Sequence, residues 1–487
     1  MLKIRPIAIN DYIDLKPGYE IEFVDQINLF SFVRVEGDFT YDFEIEWTPK
    51  NKRLLQFAFL PESRFNRYQS LEVILELAGT TWKRGSLYFL SGDKRNAKVQ
   101  FIGANGSLGR EMENKSLRDL NWPTVNFSPL NMYAHCFQVA QEGYSEWDYT
   151  FFPIWLETSN GTVFINPWLD FSGSFYGLFF SPQFYVYNML LKIAEYFGFQ
   201  LDAPFFSSDE MRRLVLLNSR VINPINTNAG GYDYIGSSYD LKQGVPDVKV
   251  SDFLKSLARY FNLWIDFNLF TRVLRIRRRE DLITNPQRIN WQKTVLKFEN
   301  QYSKNVEYTL KYTVRESETN FWDDGNPTGI SSAVWLANPV FIKDSEEIDV
   351  GMGTLLAFPA LEYSVRVSGG IEDNLPLYLL FYRGIEALAP TNAPRPFATS
   401  IKHGTDQLTT HWVGVDNVID KEYKIFLDRI KFMKNGRADL ILDLEKILTY
   451  QPQAVYTLDR FNCIFKSLRY KISEHKIKNA QAELLYF

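Results

Sequence analysis

The feature that most restricts this chain is a duplication: residues Val186 to Asp202 align without a gap to Val250 to Asp266, 64 positions later. Matching positions include Leu190/Leu254, Ala194/Ala258, Tyr196/Tyr260, Phe197/Phe261 and Asp202/Asp266. Leu254, Leu257, Ala258 and Phe261 fall at i, i+3, i+4 and i+7, as do Leu190, Ile193, Ala194 and Phe197, so each copy carries one apolar stripe on a helix. Ser251 is placed to cap the second helix. After Asn262 the pattern switches to a strand, Leu263 to Phe267, and Val273, Leu274 and Ile276 suggest a returning strand beyond the turn Asn268 to Arg272. The unit is helix, tight turn, strand, with the second helix packed on a hairpin.

Elsewhere the period is two. Tyr41, Phe43, Ile45 and Trp47 alternate with Asp42, Glu44 and Glu46, giving a strand with one buried and one acidic face. Tyr19, Ile21 and Phe23, then Leu71, Val73, Leu75 and Leu77 with Glu72 and Glu76 outward, repeat the pattern. Trp82 to Leu90 and Ala97 to Ile102 add two strands, so the first 105 residues read as a small antiparallel barrel or sandwich. Glycines 103, 106 and 109 break this pattern before a short helical candidate, Lys115 to Leu120. Trp122 to Asp170 supports only irregular β-structure. Alternation returns at Val306 to Val314, Leu440 to Leu444, Cys463 to Tyr470 and Ala480 to Phe487. The turn-rich segments WDDGNPTG, SGG and APTNAPRP predict long loops between 316 and 400. The expected class is α+β, β-dominant and multidomain: a β-barrel-like unit at 1–105, an irregular β connector at 106–175, an α+β unit at 176–290 holding the duplication, and a β-rich unit at 291–487.

Composition removes several alternatives. With 45% apolar and 23% charged residues in 487 positions, the chain is globular, and 16% aromatics favour pleated, half-buried surfaces. A net charge of −4 supplies no field that would hold phosphate backbones tightly. No window of 18 uncharged apolar residues occurs, and the N-terminus lacks a secretion-signal pattern, so no membrane insertion is expected. Cys136 and Cys463, far apart, exclude a disulfide scaffold and a four-cysteine zinc site and read as buried small apolar residues.

Candidate chemistry is sparse. His135, His403, His411 and His475 stand in no metal-binding spacing, and no nucleophile elbow, phosphate-binding loop or dinucleotide fingerprint occurs, so no catalytic residue, cofactor or metal is expected. Asp323-Asp324 and Glu346-Glu347 read as solvated loop charges, because glycosidase chemistry needs two carboxylates at a set separation. The run Arg275 to Arg279 is the strongest basic cluster. On a strand it places Arg275, Arg277 and Arg279 on one face, suited to an acidic neighbour or subunit contact, with no aromatics interleaved for base stacking. Trp47, Trp82 and Trp264 fall on apolar strand phases, whereas Trp122, Trp147, Trp168, Trp322 and Trp335 lie in irregular segments and stay open as sugar platforms.

Thr48-Pro49-Lys50-Asn51 after the DFTYDFEIEW strand, Leu117 to Leu120, and above all Val250 to Phe267 followed by VLRIRR, resemble the baseplate hub and tail-associated proteins of tailed bacteriophages. The likeness covers most of the chain as an order of domains and about a quarter as local sequence. It implies a homotrimer in which two β-barrels per subunit form a pseudo-sixfold ring on the tail tube, leave a channel for passing DNA, and contact distal tail or baseplate proteins. It implies a virion location after assembly in the host cytoplasm, with any lytic step belonging to another protein. The acidic balance agrees, since DNA must slide through such a channel. Arg275, Arg277 and Arg279, with Asp42, Glu44 and Glu46, are then candidate subunit or channel contacts. The alternatives are a receptor- or glycan-binding tail protein using the 316–400 loops, and a polysaccharide hydrolase.

Overall fold

The computed structural model describes residues 1–9, 11–26, 38–55, 70–103, 108, 111–127, 132–158, 161–166, 179–222, 238–268, 271–301, 305–313, 330–336, 343–353, 365–368, 377–388, 393–400, 402–410, 417–478 and 480–487. The class is α+β and β-dominant.

Its largest element is a 13-stranded sheet built from both ends of the chain. Antiparallel neighbours run in the order Leu2–Pro6, Ser70–Leu77, Thr80–Gly92, Asn96–Gly103, Phe39–Thr40, Glu20–Gln26, Phe461–Ser473, Ala480–Tyr486, Lys434–Leu440 and Val295–Gln301. Strand pairing therefore joins the expected first and last units. At the junction Glu20 pairs with Ser473, Ile21 with Ile472 and Phe23 with Tyr470. Ile21, Phe23, Tyr470 and Ile472 are buried, and the Phe23 and Tyr470 rings stack with centroids 5.8 Å apart. Glu20 and Glu22, on the other phase, meet Lys471, Lys478 and Arg469.

The duplication folds as one layer. Helices Val186–Tyr196 and Val250–Tyr260 lead into strands Gln200–Asp202 and Leu263–Asn268, and strand Val273–Arg278 lies between those two, parallel to the first and antiparallel to the second. Val186, Leu190 and Ile193 are buried, as are the aligned Val250, Leu254 and Leu257. Both helices end through a left-handed residue at the same repeat position, Gly198 (φ +72) and Asn262 (φ +51), the two residue types that adopt it at least cost.

An eight-stranded sheet carries Asn305–Thr313, Lys343–Gly353 and Leu377–Leu388 through Leu214–Leu217 to Tyr149–Thr150. Two three-stranded sheets and one two-stranded sheet hold the other described strands, and the buried faces of both repeat helices belong to the main apolar core.

Four local expectations change. The Tyr41–Trp47 alternation is broken into strands Phe39–Thr40 and Phe43–Glu46, and Tyr41 is exposed, because its amide donates to the Glu22 carbonyl while its ring lies under the Arg469 guanidinium. Ser251 does not cap its helix; the cap position is Lys249, with no side-chain bond, and the Lys115 carbonyl takes the Val250 amide. The helical candidate at Lys115 to Leu120 shrinks to a 3₁₀ turn, Leu117–Asp119. Within the expected irregular β connector stands an α-helix, Met132–Glu142, whose buried Met132, His135, Cys136, Val139 and Ala140 follow helical spacing.

Candidate functional site

The basic run is divided by the fold. Arg275 and Arg277 share a face of the Val273–Arg278 strand, and acids that end the two repeats neutralise them. Arg277 Nη1 donates to the Asp202 carbonyl at 2.7 Å and Nη2 to its carboxylate at 2.5 Å, while Arg275 lies 3.9 Å from Asp266. Arg279 leaves that face, contrary to the strand reading: the strand ends at Arg278, a helix Arg279–Thr284 begins, and Arg279 is buried with its amide donating to the Asn262 carbonyl. Arg278, on the opposite face, has Nε 2.9 Å from Glu422 and Nη2 donating to the Lys421 carbonyl.

The acidic residues sit in a different sheet. Asp42 is ion-paired with Lys98, Glu44 lies 3.7 Å from Lys16, and the Glu46 carbonyl accepts from Asn51 Nδ2 at 2.8 Å. Strand pairing does not bring the two candidate sets together.

Three buried charge networks carry the stronger electrostatics. Lys83 Nζ donates to Asp25 at 2.8 Å and to Asp38 at 2.6 Å, and Tyr470 donates to Asp25 at 2.9 Å, across the junction of the chain ends. Burial pushes the Asp25 carboxyl up to about 6 against the pull of Lys83. Burial pushes Glu422 up to about 7, with Arg278 opposing and Glu280 adding to the rise. Arg383 bridges Glu210 (3.2 Å) and Asp406 (2.7 Å), and Asp406 also holds Arg213. Sequence reasoning missed all three. One signal existed: Asp25 follows Ile21 and Phe23 on the buried phase of its strand.

The remaining candidates have ordinary partners. His135 is buried 3.0 Å from the Tyr239 hydroxyl, and burial lowers its imidazole to about 4. His403 lies 2.8 Å from Glu386, and His475 is exposed. Cys136 and Cys463 are buried free thiols. Trp47 and Trp264 are core residues; Trp122 and Trp147 are half-buried, their indoles donating to the Leu117 carbonyl and to Glu142. Glu346 and Glu347 lie in strand Lys343–Gly353 rather than a turn. His411, Trp168, Trp322, Asp323 and Asp324 lie outside the described residues. Among the described residues no group of three or more His, Cys, Asp or Glu could hold a metal, and no helix is long and apolar enough to cross a membrane.

No family model and no curated protein matches the chain. Among solved structures it is similar to the 43 kDa tail protein of prophage MuSo2 from Shewanella oneidensis, at 8% identity over 100% of this chain and 96% of that one, with a TM-score of 0.39. A tail protein from Neisseria meningitidis gives 9% identity, coverage of 99% and 95%, and a TM-score of 0.34. The c3393 protein of E. coli, described as a component of the type VI secretion system with structural similarity to T4 tail proteins gp27 and gp5, gives 7%, 100% and 77%, and 0.32.

Proposed function

We propose that the chain is a structural protein of a phage-type tail and, within it, a hub subunit that adapts the tail tube to distal tail parts as a homotrimer around a DNA passage. The reading is supported by the resemblance at Val250 to Phe267 and VLRIRR, a stretch that folds as a helix on a hairpin. It is carried by Val295–Gln301, the last strand of the 13-stranded sheet, which pairs on one side only among the described residues. There Leu296, in the outermost strand, is 52% exposed, and Ile441, whose amide donates to the Thr294 carbonyl, is 50% exposed. At the other end of the adjoining Lys434–Leu440 strand Phe432 is 75% exposed. Leu296 stands on the outer strand, while Ile441 and Phe432 flank the strand paired to it, so the last two strands of the described sheet carry exposed apolar side chains that suit a subunit contact.

Arg275, Arg277, Asp42, Glu44 and Glu46 are further contacts in this proposal, each exchanging an internal partner for one across the interface. Arg279, being buried, is left out. The division at 105, 175 and 290 is retained, with the first and last units sharing a sheet. The particle would reside in the virion tail.

Sedimentation velocity of the wild type and of a Leu296→Lys, Ile441→Lys double variant tests the edge. The expected result is a trimer for the first and a monomer of unchanged thermal stability for the second. A double variant that assembles like the wild type removes the edge from the interface.

A further inference from the structure

Lys83 stands between two carboxyl groups inside the large sheet, its Nζ 2.8 Å from Asp25 and 2.6 Å from Asp38. The strands of Lys83 and Asp25 are not neighbours: Asn96–Gly103 and Phe39–Thr40 lie between them, so the contact closes across the curve of the sheet. The Asp25 side chain is 3% exposed and that of Lys83 12%. Aromatic rings wall the pair: Nζ lies 5.0 Å from the centre of the Trp82 ring, and Phe23 packs on both Trp82 and Tyr470. Lys50 and Lys471 each meet two carboxylates as well, but their side chains are 32% and 44% exposed and keep their hydration. Only Lys83 among these three is held against a carboxyl in a dry site.

An amine and a carboxylic acid fixed in contact away from water can condense to an amide, because their effective concentration is high and the hydration that favours the separated ions is gone. The reaction needs an un-ionised carboxyl as electrophile and a base to free the amine. Two carboxyls share one ammonium here, so the site has an acid to spare for each role. Burial, with the Asp38 charge adding to it, raises Asp25 to about 6, which makes Asp25 the group that takes up a proton. Burial opposes the ammonium form of Lys83 and the two carboxylates favour it, with a net rise, so at rest the proton sits on Nζ and Asp38 must remove it. Tyr470 donates its hydroxyl to Asp25 Oδ2 at 2.9 Å, where negative charge gathers when the carboxyl carbon is attacked. Asp38, with its side chain 33% exposed, connects the site to solvent.

We propose that Lys83 and Asp25 condense in the folded chain to an isopeptide bond, with Asp38 as the proton carrier. Asp38 takes one proton from Nζ, and the freed lone pair attacks Cγ of protonated Asp25. Asp38 then hands that proton to the departing Oδ1 hydroxyl, which leaves as water, and takes a second proton from Nζ, which it loses to solvent. The Nζ–Cγ bond replaces the Cγ–Oδ1 bond, no electrons are exchanged with any other species, and Tyr470 stays bonded to the amide oxygen. The product ties strand Glu20–Gln26 covalently to strand Thr80–Gly92 and restricts the unfolded chain as any cross-link does. The bond is independent of the hub reading, since a monomer and a trimer can each form it.

The test is intact-mass spectrometry of the purified, denatured full chain, followed by tryptic mapping. The expected mass lies about 18 Da below that of the sequence, the loss of one water, and the digest should contain a branched peptide joining Asp25 to Lys83. Lys83→Arg and Asp38→Ala should each restore the full mass; Lys83→Arg keeps the buried positive charge and so separates loss of the nucleophile from loss of the fold. A folded wild-type chain that keeps its full mass after days at neutral pH overturns the proposal, whatever its oligomeric state. A water loss that persists in Lys83→Arg overturns it as well, and a branch formed as fully in Asp38→Ala overturns the role of Asp38.

Discussion

Asp202 and Asp266, the matching last residues of the two repeats, flank Arg275 from opposite sides in one three-stranded sheet. The Val273–Arg278 strand is thus the shared partner of both copies, and its alternating arginines are the counter-charges of the duplicated acids. What looks in sequence like a basic patch is, in the fold, largely a seam.

The seam predicts an order of effects. Arg277 makes two bonds to Asp202 and Arg275 only a long ion pair, so Arg277→Ala should cost about 0.5–1 kcal/mol and Arg275→Ala less, both reduced by solvent screening. Asp202→Ala should cost less than Arg277→Ala, because the carbonyl bond survives. Urea denaturation of the three variants checks the ranking; equal losses would contradict it.

Asn262 combines a left-handed backbone with a side-chain bond from Nδ2 to the Glu422 carbonyl at 2.7 Å. Asn262→Ala should lose about 1–2 kcal/mol from the backbone together with the bond. Asn262→Gly should lose only the bond. Comparable melting temperatures for the Ala and Gly variants would refute the backbone contribution.

Tyr470→Phe keeps the ring stacked on Phe23 and removes one donor to buried Asp25. The expected loss is about 1–3 kcal/mol, read from chemical denaturation, and it should fall away in an Asp25→Ala background, which removes the acceptor. Full additivity of the two substitutions would show that the bond is not made.

The raised Glu422 carboxyl gives a pH dependence of defined sign. Its folded value of about 7 exceeds its unfolded value near 4.5, so the folded state binds more protons between these limits and stability from this group rises as pH falls from about 7 to about 4.5. Glu422→Gln should flatten the profile in that window by about 1–3 kcal/mol. A wild-type profile identical to that of the variant would contradict the shift.

Gly85 leaves no room for a side chain: an added Cβ would stand 2.3 Å from the Ile102 carbonyl and 2.7 Å from the Phe101 ring. Gly85→Ala should cost about 1–3 kcal/mol by forcing the Thr80–Gly92 and Asn96–Gly103 strands apart. A neutral thermal scan would show that the strands yield.

The legible parts of the fold are those encoded within a dozen residues. The repeat helices, their strands and the hairpin were readable because apolar spacing fixes the buried face directly. Tyr41 was misread because its exposure is decided by Glu22 and Arg469, residues far from it in sequence. The Met132–Glu142 helix was hidden in a segment of mixed aromatics and prolines. The junction of the chain ends was not legible at all: Asp25 and Tyr470 are 445 positions apart, and no local pattern names a strand's partner. The candidate arginines were found, but their acidic partners, and the burial of Arg279, follow only from the third strand of their sheet.

The central claim is assembly, and particle symmetry tests it most directly. Light scattering on the purified chain, with negative-stain class averages of the same peak, should give a mass three times the 56.9 kDa of one chain and a threefold ring with an axial opening. A compact monomer without a ring, even when mixed at high concentration with the matching tail-tube protein, would contradict the hub account.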